Sequence, residues 1–202
     1  MLAAALLAAL TVAASPDLTR PRLHLDARVE PGVGLDAADL AAVADHAARI
    51  WAPLVDLTAS LPGAPRAAGA VDRISLLLTN RLLDARHGSL GWIEFVDGEP
   101  RREMTVSVAA VARLASAGTW HGRALATMPP AATRTFMQKA LGRAVAHEVG
   151  HYLLRSTTHD GSGLMRAAFT VDDIMDGRPA LGPAARAYAK RFSGEGEVAE
   201  RR

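Results

Sequence analysis

The stretch AHEVGHYLLRSTTH, residues 146–159, gathers three histidines and one glutamate in a chain of 202 residues that has seven histidines in all. His147 and His151 are four positions apart. On an α-helix that separation leaves two side chains about 40° apart around the axis and about 6 Å along it, so both imidazoles can close on one ion. Glu148 sits about 100° round from His147, near enough to reach a water on that ion without being a ligand itself. Imidazole nitrogen suits zinc, and a carboxylate beside a zinc-held water can take its proton. At this chain's own frequencies of histidine and glutamate, an accidental His-Glu-x-x-His arises in roughly 1% of such sequences. The pattern therefore outweighs the plain alternative of a helix with solvated or core histidines.

The rest of the helix agrees with that placement. Measured from His147, Phe136, Met137, Ala140, Leu141, Ala144, Val145 and Tyr152 fall in the same half of the wheel as the two histidines, and Lys139 and Arg143 fall in the other. The two imidazoles are thus expected on the buried face, where they need partners, and Lys139 and Arg143 on the solvated one. A catalytic zinc takes three protein ligands and keeps one position open. His159, eight residues past His151, leads for the third place, with Asp160-Gly161-Ser162-Gly163 supplying backbone for the chain to turn back. Asp160, Asp172, Asp173 and Asp176 compete with it. His24, His46, His87 and His121 read as surface or locally bonded histidines.

The elements that must position these groups follow from periodicity. Arg22 to Val29 alternates and reads as a strand, and Leu35 to Leu54 has helical spacing with Asp36 placed to cap it. A loop rich in Pro, Gly and Ala spans Ser60 to Ala70. Asp72 to Thr79 reads as a buried strand. Leu90 to Val96 and Glu103 to Val108 read as two more, joined by the turn residues Asp97-Gly98-Glu99-Pro100. Ala109 to Ala117 is a short helix, Pro129-Pro130 punctuates, and a long helix runs from about Thr133 to Ser156. Thr158 to Ala167 reads as loop, Val171 to Met175 as a helical turn and Pro183 to Phe192 as a last helix. The order implies an α+β domain over 17–192, with a small mixed sheet backed by two helices and a frayed charged tail over 193–202.

Composition narrows the partners. Half the residues are hydrophobic, 22% are charged, and the pI is about 9.5 because almost all the basic residues are arginine. The arginines are scattered rather than striped, so nucleic acid is not an expected partner. The N-terminal MLAAALLAALTVAASPD has an apolar run from Leu2 to Ala14 that is too short for a stable membrane anchor, and small residues before Ala14 suit signal peptidase. A signal peptide over 1–14 and a secreted or periplasmic protein are expected. With no cysteine, neither a disulfide nor a thiolate is available to stabilise or block a metal site.

The segment His147 to Met165, HEVGHYLLRSTTHDGSGLM, resembles the metzincin zinc metallopeptidases. That family combines two helical histidines and a glutamate with a third histidine after the helix, then a tight turn whose methionine lies beneath the metal. By this resemblance His147, His151 and His159 match the ligands of one catalytic Zn2+, Glu148 the general base and Met165 the turn methionine; the plain alternative for Met165 is a gap-filling core residue. The sequence departs from the family pattern at Leu154, where glycine is usual, and in the third histidine, which comes two residues late. Phe169 stands where some members carry a metal-touching tyrosine. The resemblance implies a metzincin-like zincin fold, with about four to five strands and two long helices, and a metalloendopeptidase acting on peptide or protein. It also implies that Leu90 to Val96 is an edge strand over the cleft, with Gly91, Trp92 and Ile93 along an extended substrate. A reading from another class is an inactive zinc-stabilised binding or scaffold domain, which has no need of Glu148.

Overall fold

In a computed structural model that describes residues 20–63, 72–82, 89–177 and 181–192, the alternating segment Arg22–Val29 forms strand β1. The expected signal peptide and tail, and His87, lie outside the described residues. Helix α1 spans Ala37–Trp51 and opens on Asp36, as expected. The Asp36 carboxylate accepts from the Asp39 N–H at 2.8 Å while the Asp39 carboxylate accepts from the Asp36 N–H at 3.3 Å, so two orphan donors of the first turn are satisfied reciprocally. The remaining strands of the main sheet are β2 (Asp56–Ser60), β3 (Asp72–Thr79), β4 (Gly91–Val96) and β5 (Glu99–Ser107). They are ordered β2-β1-β3-β5-β4. All neighbours are parallel except β4, which runs antiparallel to β5 at one edge.

Register decides which face is buried. Leu25 pairs with Ile74, Leu76 with Met104 and Leu78 with Val106, so these side chains project to one side of the sheet. All are at most 4% exposed. Against that side pack Leu40, Val43, Ala47 and Ile50 of α1 and Phe136, Leu141 and Val145 of α3 (Pro130–Leu154). The resulting mixed α/β architecture has a five-stranded main sheet and two long helices. Trp51, fully buried, adds a directed bond: its indole N–H donates to the Ala146 carbonyl at 2.9 Å, fixing α1 to the turn before His147. The shorter elements are α2 (Val108–Ala117), the two-residue strands β6 (Thr119–Trp120) and β7 (Arg123–Ala124), α4 (Val171–Met175) and α5 (Pro183–Phe192).

Several boundaries differ from the sequence expectation. The β4–β5 turn is only Asp97-Gly98, both left-handed at φ 53° and 81°, so Glu99 and Pro100 already belong to β5. Strand β2 and the β6–β7 hairpin were not expected. Helix α3 starts at Pro130, whose fixed φ suits a first helical position, and ends at Leu154 rather than Ser156. The placement of Arg143 on a solvated face was wrong. Arg143 is 4% exposed, and every residue from 142 to 151 is buried, because α3 packs against α1, α2, α4, α5, β4 and β5 together. Its guanidinium instead donates to the Asp173 carbonyl at 2.6 Å and the Gly177 carbonyl at 3.2 Å, satisfying groups at the end of α4.

Candidate metal centre

The His147, His151 and His159 rings meet, with a nitrogen from each lying within 4.8 Å of the other two. Ring centroids are 4.7 Å apart for His147 and His151, 5.2 Å for His147 and His159, and 5.0 Å for His151 and His159. The His147 Nδ1–H donates to the Leu164 carbonyl at 2.8 Å, and the His151 Nδ1–H to the Ser156 carbonyl at 2.6 Å. A carbonyl can only accept, so in the neutral rings both Nε2 atoms carry bare lone pairs. Those two atoms face each other at 3.0 Å. Neither has a hydrogen for the other, so this contact is not a hydrogen bond between neutral rings.

Burial favours the neutral form. It holds His147 down to about 4, with His151 and His159 adding to the effect against the Leu164 bond, and it lowers His151 as well. Lone pairs converging from neutral imidazoles are the donor set of a soft-to-borderline cation. Tetrahedral zinc–nitrogen bonds of about 2.0–2.1 Å place neighbouring nitrogens roughly 3.3–3.4 Å apart, close to the spacing here. The residues present therefore fit zinc.

The chain reaches this arrangement through a specific turn. Arg155 adopts the left-handed conformation, φ 50° and ψ 45°, and its N–H bonds back to the last turn of α3. That residue, and not a glycine, ends the helix. The chain then doubles back so that the Asp160 N–H donates to the Met165 carbonyl at 2.8 Å, closing a loop that begins just past His159. Met165 is 1% exposed and packed on Gly150, the neighbour of His151: a Cβ at that glycine would lie 2.2 Å from the Met165 sulfur. Of the competing carboxylates, Asp172, Asp173 and Asp176 have other partners, whereas the Asp160 Oδ2 is buried without a hydrogen-bond partner among the described residues and Asp160 is not among the residues that meet at the histidines. Asp173 accepts from Thr170 at the start of α4 and meets Arg166 at 3.0 Å. Asp172 and Asp176 lie with His121 in an exposed group, tied to its N–H and ring and to the Trp120 indole. His24 is held by Thr58 and Ser60, each at 2.8 Å.

Glu148 is 4% exposed and faces Gly91 at the start of β4. A Cβ on Gly91 would stand 3.0 Å from both Cγ and Oε1 of Glu148 and 2.9 Å from the Thr105 carbonyl. Burial pushes the Glu148 carboxyl up to about 8, and a cation among the histidines would act in the opposite direction. The three histidines and Glu148 open on a cavity of about 910 Å³, whose lining includes Gly91, Trp92 and Ile93 of β4. Within it, the Ser89 hydroxyl donates to the Gly91 carbonyl, and Trp92 is 46% exposed. Phe169 sets its edge against His147 at 5.9 Å and carries Arg143 over its face at 5.2 Å.

Gly91 as a spacer, Gly150 under Met165, and the Leu164 and Ser156 carbonyls were not foreseen in these roles. Glycine inside a helix costs about 1 kcal/mol against alanine, so Gly150 within His-Glu-x-x-His was itself a visible signal. The two carbonyls are backbone groups and leave no mark in residue type. No family model matches the chain, and no curated protein sequence does. Among solved structures the chain is similar to archaemetzincin from Methanopyrus kandleri, at 17% identity and a TM-score of 0.47, over 88% of this chain and 98% of that one.

Proposed function

We propose that the protein is an exported zinc-dependent metallopeptidase of zincin-like fold, hydrolysing peptide bonds in a peptide or protein substrate. The observation that carries this is the pair of bare Nε2 atoms 3.0 Å apart, joined by His159 and flanked by a buried carboxylate on an open cavity. Bound by His147, His151 and His159, zinc supplies Lewis acidity toward a water and a substrate carbonyl. The two Nδ1 bonds to carbonyls fix the ring tautomers and their aim. Glu148, as carboxylate, accepts the proton of the attacking water and passes it to the departing amine nitrogen. Edge strand β4 offers its outer hydrogen-bonding groups to an extended peptide, with Trp92 and Ile93 beside it. Support for export is the apolar segment Leu2 to Ala14. Among the described residues no helix is long and apolar enough to cross a membrane.

The test pairs metal content with turnover. Wild type is expected to carry one zinc and to cut members of a broad peptide library. Glu148→Gln should keep the zinc and lose about 10²–10⁴-fold in turnover, while His147→Ala loses both. Zinc bound with no cleavage by wild type would favour the binding-domain reading, and activity retained by Glu148→Gln would remove the glutamate from its role.

A further inference from the structure

The cavity beside the histidines has a charge that the proposed hydrolysis does not use. Among its described lining residues only Glu148 and Arg113 are charged, apart from the histidines. Arg113 belongs to α2, on a stripe with Ala110, Leu114 and Ala117 that faces the cavity, while Val111 and Ala115 bury the other side of the helix. Several other arginines have acceptors: Arg134 meets Asp36 and Asp39, Arg102 meets Asp72, Arg166 meets Asp173 and Arg143 meets two carbonyls, while the exposed Arg28, Arg123 and Arg186 do not line this cavity. Arg113 has no carboxylate partner among the described residues and its side chain is exposed. A guanidinium stays charged at every working pH and grips a carboxylate through two parallel N–H bonds.

Resting on the peptidase reading, we infer that this cleft selects peptides carrying a carboxylate on the α2 side of the scissile bond, held by Arg113. The carboxylate belongs either to an acidic side chain or to a free C terminus, and the two sources call for different peptides. The wall on that side includes small residues, Ala110 and Ala117 on α2 and Ala144 on α3, in a cavity of about 910 Å³ that also takes in the three histidines.

The experiment uses full-length, zinc-loaded protein and a peptide series in which one position beyond the cleavage point is Glu, Gln or Lys, each with a free or an amidated C terminus. Binding is read on the Glu148→Gln variant and cleavage on wild type. Glu peptides are expected to bind at least about tenfold more tightly than Gln peptides, with the gain appearing in KM rather than kcat. If the chain end is the group held, the preference instead follows free against amidated termini. Arg113→Ala should bring either ratio close to one, and Arg113→Glu should turn the preference toward Lys. Equal binding of all six peptides by Glu148→Gln protein overturns the role of Arg113 whatever the turnover. Selective binding without cleavage by wild type overturns the peptidase reading and leaves the carboxylate site standing.

Discussion

A single missing methyl group decides where the proposed base stands. Glu148 and Gly91 come from different elements, and the space between them admits no Cβ: one would lie 3.0 Å from the Glu148 carboxylate and 2.9 Å from a backbone oxygen of β5. Both the β5 backbone and the carboxylate must then shift by a few tenths of an ångström to admit a Cβ. Displacement of a catalytic group by about 1 Å can cost 10²-fold, so for this smaller shift Gly91→Ala is expected to lower kcat by about 3–10-fold while zinc content stays at the wild-type level. A variant with unchanged kcat would show that Glu148 has freedom to spare. At this scale the sequence was most legible where chemistry depends on side-chain type. The glutamate and the two helical histidines announce themselves by spacing, and His159 by its distance along the chain. Gly91 was read as a point along the substrate because nothing in the sequence says that Glu148 would be pressed against it. The reason lies in a contact between residues 57 positions apart.

Between α3 and the third histidine, one residue carries the reversal of the chain. Arg155 is left-handed where glycine would be free of strain, at a cost of about 1–2 kcal/mol for an L-residue. Its side chain pairs with Glu99, but both partners are more than half exposed, so the pair contributes little. Arg155→Gly and Arg155→Ile both delete that pair, and they differ in backbone preference alone. The glycine variant is expected to be the more stable by at least about 1–2 kcal/mol in urea unfolding, since a β-branched residue fits the left-handed region worst. The isoleucine variant should also bind zinc more weakly, because Ser156, which receives the His151 Nδ1–H, is the next residue. Equal stabilities would place the turn's cause elsewhere. The strand and helix spans that periodicity gave correctly, β1, β3, α4 and α5 among them, carry their pattern within themselves. Strand β2 does not: five residues, DLTAS, hold too little alternation, and they are a strand because β1 lies beside them in parallel register. Arg143 was misplaced for a related reason, since one apolar stripe implies one packed face and α3 is packed on all sides over 142–151.

The whole molecule gathers its elements around α3, and the seam between α3 and α1 contains a proton-sensitive point outside the metal centre. His46 of α1 packs on Gly142, where a Cβ would lie 2.7 Å from the His46 Cβ. Burial lowers the His46 pKa to about 4, helped by Arg49 on its own helix and by Arg143 and Lys139 from α3, against a small opposing effect of Asp45. In the unfolded chain the same imidazole returns to an ordinary value near 6.5. Between those two values the unfolded state holds more protons than the folded one, so stability falls as the pH drops from about 6.5 toward 4 and is fully present above that window. The ligand histidines lean the same way, and zinc adds stability that acid also removes, so the informative comparison is made on metal-stripped protein. His46→Gln keeps a polar side chain of similar reach and removes the titration. Its urea-unfolding free energy, measured at intervals from pH 4 to 7, is expected to decline less steeply with acid than that of wild type, with the two profiles parallel above about 6.5. Identical slopes below that value would mean that His46 keeps its solution pKa in the folded protein and that the seam between the two long helices is open to water.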